Sequence, residues 1–118
     1  TGNTIENNGN ATPPGIRGDG IGIGLEQDAV INNLQITGNT IRGNGDEGID
    51  IRLGLQAFPP NPASPTGNLT SAQLTGTIQN NAIAGNGQNG VQVEARGGTT
   101  TRVDIASNTG SNNNASGT

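Results

Sequence analysis

The sequence predicts an all-β chain: a parallel β-helix with three faces, about three coils long, with loop insertions and uncapped ends. Three observations carry this expectation. A block of short apolar alternations, separated by Asn and Gly, recurs at long intervals. The alternating runs are rich in Ile and Val and too short for helices, which suits strands. Asn and Gly fill the corners between runs, where the backbone needs left-handed or other unusual angles.

Taken in order, the first unit has Asn3-Thr4-Ile5, Asn8-Gly9 and Gly20-Ile21-Gly22-Ile23. The second has Asn39-Thr40-Ile41, Asn44-Gly45 and Gly48-Ile49-Asp50-Ile51. The third has Asn81-Ala82-Ile83, Asn86-Gly87 and Gly90-Val91-Gln92-Val93. Asn3 to Asn39 is a step of 36 residues and Asn39 to Asn81 one of 42. The unequal steps come from insertions. An earlier apolar run precedes the second and third units, Leu34-Gln35-Ile36 and Leu74 to Ile78. A partial fourth unit supplies Val103-Asp104-Ile105 and Asn108. Its next core position is Gly110 rather than Ile, so the pattern is expected to fade there. The predicted organisation is a single β-helix domain over residues 1–110, with insertions near 10–17 and 54–72, and a flexible polar tail or linker over 111–118.

Stacking the units places Ile5, Ile41 and Ile83 in one interior column and Ile21, Ile49 and Val91 in another. Asn3, Asn39, Asn81 and Asn108 form one candidate amide ladder, and Asn8, Asn44 and Asn86 a second. The alternative for both is Asn acting only as a tolerant turn residue. Outward charges match across units: Glu6 aligns with Arg42, and Arg52 with Glu94. Residues 54–72 contain Phe58-Pro59-Pro60-Asn61-Pro62, and proline cannot join a central ladder, so this segment protrudes from a corner. Asn10–Arg17 forms a smaller protrusion.

Composition narrows the function classes. The chain of 118 residues carries nine acidic and five basic residues, all the basic ones Arg, for a net charge of −4. That balance argues against a phosphate-binding surface. Cys and His are absent, which excludes disulfides, thiolate metal sites and imidazole chemistry. No run of about 18 apolar residues occurs, so no membrane span is expected.

The segments Gly38-Asn39-Thr40-Ile41-Arg42-Gly43-Asn44-Gly45 with Gly48–Ile51, and Ile78–Gly87 with Gly90–Val93, resemble the right-handed parallel β-helix repeat family of secreted bacterial proteins, the pectate-lyase-like solenoids. The Asn-rich run Leu74–Asn81 looks most like long bacterial surface and adhesin repeat proteins. The resemblance implies right-handed coils and an extracellular or cell-surface location. It spans polysaccharide lyases, hydrolases, adhesins and structural repeat proteins, so it indicates fold more than activity. Lyases of this kind use clustered acids for Ca²⁺ and a basic residue as base. The best matching set here is Asp19, Asp46, Glu47 and Asp50 with Arg42 or Arg52. Those four acids are also the Ca²⁺ candidates, against the plainer account of a solvated acidic corner. The family's hydrolases use a His, which this chain lacks.

The expected function is therefore a non-catalytic structural module of an extracellular fibre or surface adhesin, with no catalytic or cofactor-binding residues assigned. The chain is expected to stack head to tail into a filament, or against neighbouring coils of a longer chain. Thr1 and Gly2 mark one assembly end, and Val103 and Ile105 the other. The alternative is a fragment of a polysaccharide lyase or of a glycan-binding β-helix protein, the latter using Phe58 against a glycan.

Overall fold

Ten short strands alternate with tight corners. The computed structural model describes residues 1–9, 18–54 and 71–114. The strands are β1 (Thr4–Glu6), β2 (Ile21–Leu25), β3 (Val30–Thr37), β4 (Thr40–Arg42), β5 (Ile49–Leu53), β6 (Gln73–Gln79), β7 (Ala82–Ala84), β8 (Val91–Ala95), β9 (Thr100–Ala106) and β10 (Thr109–Ser111). Each strand pairs with the strand three places later in the chain. The result is three sheets, β1-β4-β7-β10, β2-β5-β8 and β3-β6-β9, here called sheets 1, 2 and 3. All pairings are parallel. No helix occurs among the described residues, and none is long and apolar enough to cross a membrane.

The register follows the sequence repeat. Ile5 pairs with Ile41 and Ile41 with Ile83 in sheet 1. Ile21 pairs with Ile49 and Ile49 with Val91 in sheet 2. Strand side chains alternate between faces, so Ile49, Ile51 and Leu53 point inward together. They join Ile41, Leu74, Ile78 and Ile83 in one apolar core. Ile and Val suit this position because branched side chains pack well on a pleated surface and stack on their counterparts in the next strand.

One irregularity interrupts sheet 3. Ile31 pairs with Leu74 but Leu34 pairs with Gly76, so β3 carries one extra residue against β6. Asn33 takes a positive φ of 64° inside this bulge, and its N–H donates to Thr75 Oγ1 at 3.2 Å. A Cβ on Gly76 would stand 2.3 Å from the Leu34 carbonyl oxygen, which explains a glycine in mid-strand.

The corners reuse one backbone solution. Asn7, Gly43, Gly85 and Asn112 each lie four residues after an Asn of the first series, and all have φ between 53° and 63°. Only Gly and Asn adopt that region at low cost, and the sequence alternates between those two.

The structure departs from the sequence expectation at the fourth unit. The pattern continues past Gly110. β10 extends to Ser111, whose carbonyl oxygen accepts from Gly85 N at 2.9 Å, and Asn114 N donates to Asn86 O at 3.0 Å. Gly110 lies opposite Ile83 with no side chain to fill the core, but backbone pairing needs none. Both insertions lie wholly or mostly outside the described residues, as do Phe58 and residues 115–118.

Candidate functional site

Two features stand above the general architecture: the buried asparagines and an acidic cluster at one corner.

The asparagines form two directed runs of hydrogen bonds. In the first, the backbone N–H and the side-chain amide of Asn3 both donate to Asn39 Oδ1, each at 3.1 Å. Asn39 does the same to Asn81 Oδ1 at 2.9 and 3.0 Å, and Asn81 to Asn108 Oδ1 at 3.0 and 2.9 Å. The second run goes from Asn8 to Asn44, Asn86 and then Asn113, with the same pair of donors at each step. The amides also cap strand carbonyls: Asn81 Nδ2 donates to Ile36 O at 2.9 Å, and Asn113 Nδ2 to Ile83 O at 3.0 Å. Each Oδ1 after the first in a run, on Asn39, Asn81, Asn108, Asn44, Asn86 and Asn113, thus accepts two hydrogen bonds from the preceding asparagine. That pairing allows Asn39, Asn44, Asn81 and Asn86 to be buried at little penalty. Asn113 was not among the candidates read from sequence. It lies five residues after Asn108, the spacing of Asn3 to Asn8, and that spacing was the available signal.

This packing dictates the recurring glycine before the third strand. A Cβ on Gly48 would meet Gly90 O at 2.6 Å, Ile83 Cγ2 at 2.7 Å and Asn86 Nδ2 at 2.8 Å. Gly20 meets the matching atoms of Gly48, Ile41 and Asn44 at the same distances. Close approach, rather than a special backbone angle, selects glycine here.

The acidic cluster joins Asp19, Glu47 and Asp50. Asp19 and Glu47 occupy equivalent places, because Gly20 N donates to Glu47 O at 3.0 Å and Asp46 N to Gly18 O at 3.2 Å. Glu47 N donates to Asp19 Oδ1 at 3.3 Å. Asp50 sits on the outward face of β5, in register with Gly22 of β2. A Cβ on Gly22 would stand 3.3 Å from Asp19 Oδ2, so the Asp19 carboxylate leans over the strand beside Asp50. The three residues place carboxylate oxygens within 4.8 Å of one another. Glu47 is 2% exposed and Asp50 6%. Arg52 Nε stands 2.8 Å from Asp50 Oδ2, an ionic contact whose N–H direction does not complete a hydrogen bond. Gln92 Nε2 donates to Asp50 Oδ1 at 3.4 Å.

Burial raises the Glu47 carboxyl above its ordinary range, and the charges of Asp46, Asp50 and Asp19 add to the effect. Burial also raises Asp50, with Arg52 pulling the other way. Burial opposes the charge on Arg52, but Asp50, Glu47 and Asp19 outweigh it and hold the guanidinium above its usual range.

Of the four acids proposed from sequence, the structure brings three together. Asp46 turns to the next unit, where Gln88 Nε2 donates to its Oδ1. The charge pairing also differs in part from the sequence reading. Glu6 and Arg42 pair across strands at 2.6 Å as expected. Arg52 and Glu94 are in register, yet each turns to a residue two places away on its own chain, Arg52 to Asp50 and Glu94 to Arg96. No protein-family model, curated protein or solved structure matches this chain.

Proposed function

We propose that the three parallel sheets are the faces of a right-handed parallel β-helix, and that the chain is a non-catalytic structural module of an extracellular fibre or surface adhesin that stacks end to end on further copies of itself. The observation that carries this reading is the exposure of interior side chains at both ends of the sheets. Ile105 is 51% exposed although it is in register with Ile78, which is fully buried. At the opposite edge Ile5, Ile21 and Ile23 are only partly buried, while their partners Ile41, Ile49 and Ile51 are fully buried. An added strand on sheet 1 covers Ile5 and pairs the edge backbone groups there, and it draws the exposed ends of the core toward one another.

Edge lengths match between the two ends. β1 and β10 have three residues each, β2 and β8 five each, and β3 and β9 eight and seven. The asparagine runs point one way, so a copy placed beyond β10 continues them from Asn108 to Asn3 and from Asn113 to Asn8 of the next copy. Sheet 1 has four strands against three in each of the others. A β10-to-β1 junction therefore continues sheet 1 and leaves a strand position open in sheets 2 and 3. The junction is weaker than an internal layer, which makes assembly reversible and dependent on concentration. Sedimentation velocity tests this. Mass is expected to grow from monomer to long oligomers between micromolar and millimolar concentration, and Ile5→Lys is expected to halt growth by placing a charge where β1 packs over β10. A wild-type monomer across the whole range contradicts the proposal.

The lyase alternative needs a base. Arg42 and Arg52, the residues matching that role, are both held by carboxylates, Glu6 and Asp50. Cleavage of an acidic polysaccharide by the wild-type chain would restore that alternative.

A further inference from the structure

We propose that Asp19, Glu47 and Asp50 bind one divalent cation of the calcium class, which fastens the first repeat to the second. The cluster joins separate parts of the chain. Asp19 precedes β2, whereas Glu47 and Asp50 bracket the start of β5, the strand paired with β2. An ion held by all three therefore bridges neighbouring strands of sheet 2.

The independent sign of a ligand is Glu47. Its side chain is almost wholly enclosed, and its Oε2 has no hydrogen-bond partner. Buried carboxylate oxygens in folded proteins are paired or bound to metal, because an enclosed charge without a partner is strongly disfavoured. Every other buried side-chain oxygen or nitrogen among the described residues has a partner, apart from Arg52 Nε, which faces Asp50. Glu47 Oε2 is thus the one buried side-chain oxygen among the described residues without a hydrogen-bond partner.

The charge and the chemistry agree. Among the described residues, three carboxylates against one guanidinium leave two formal negative charges, the complement of a divalent ion. All the donors are oxygen, which suits hard cations and disfavours zinc and copper. Calcium accepts irregular sets of carboxylate oxygens, whereas magnesium demands near-ideal octahedral geometry and dehydrates reluctantly, so three carboxylates fixed by the fold suit calcium better. Gly22 leaves the space over which the Asp19 carboxylate lies. This site is independent of end-to-end stacking, since it lies within one copy.

Calorimetric titration of chelator-treated protein with CaCl₂ and with MgCl₂, together with thermal melts in each, tests the proposal. Calcium is expected to bind with one site per chain and to raise the melting temperature, with magnesium at least about tenfold weaker. Glu47→Gln is expected to weaken calcium by at least about tenfold and to abolish the thermal shift. In cation-free buffer its circular dichroism and melting temperature should match or exceed wild type, because it removes a buried charge. Asp46→Asn, outside the cluster, is expected to keep the calcium response. No calcium heat and no shift in the wild type overturns the proposal, as does an undiminished response in Glu47→Gln.

Discussion

At the residue scale, asparagine and glycine carry this structure by different means. Asn81 is the most heavily used amide. It accepts from Asn39 and donates to Asn108 and Ile36. Asn81→Ala strands buried donors on Asn39 and an acceptor at Ile36, and should lower stability by about 2–4 kcal/mol. Asn3→Ala, at the edge of the same run and exposed, should lose less than about 1 kcal/mol. Equal losses in urea denaturation would contradict the account of the runs. The glycines divide in a similar way. Gly48→Ala forces a methyl into Gly90 O and Ile83, and should cost about 2–4 kcal/mol or prevent folding. Gly85 has φ of +63° and nothing within 4 Å of an added Cβ. Gly85→Asn should be nearly neutral by the same assay, because Asn7 and Asn112 already occupy that corner. The sequence displayed both glycine classes as repeats without separating them, since steric closeness to a neighbouring strand cannot be read from one strand's own residues.

At the element scale, the strands were legible because each position must suit the same position in the neighbouring repeat. That demand wrote Ile5, Ile41 and Ile83, and likewise Asn39 and Asn81, into the sequence at matched places. β10 was not legible. Its inward residue is Gly110, so the apolar signal vanishes, while pairing through backbone and through Asn113 persists. Truncation after Gly110 removes the Ser111 acceptor for Gly85 and the Asn113 acceptor for Asn86. It should lower stability by about 1–3 kcal/mol, whereas a disordered tail could be removed at no cost. The acidic cluster was half legible. Matched repeats placed Asp19 beside Glu47, but the choice between Asp46 and Glu47 depends on which side of the corner each faces. Arg52 choosing Asp50 over Glu94 was likewise hidden, because a long guanidinium side chain reaches several carboxylates at similar cost.

At the scale of the whole molecule, core side chains emerge at both edges of the three parallel sheets. Lateral surfaces carry isolated ion pairs such as Glu6–Arg42 and Glu94–Arg96, each worth little in stability. The edges instead offer unpaired strands with partly exposed Ile5, Ile21 and Ile105, and in the proposed filament these set the direction of growth. A filament built this way has its strands perpendicular to its long axis. Paired strands lie about 4.8 Å apart, so four strands of sheet 1 advance each copy by about 19 Å. The most direct measurement is electron cryo-microscopy of the concentrated native protein. The account predicts filaments with a strand spacing of about 4.8 Å along the axis and one copy per four strands of sheet 1. Isolated folded monomers at every concentration, or assemblies joined through the sides of the sheets, would contradict it.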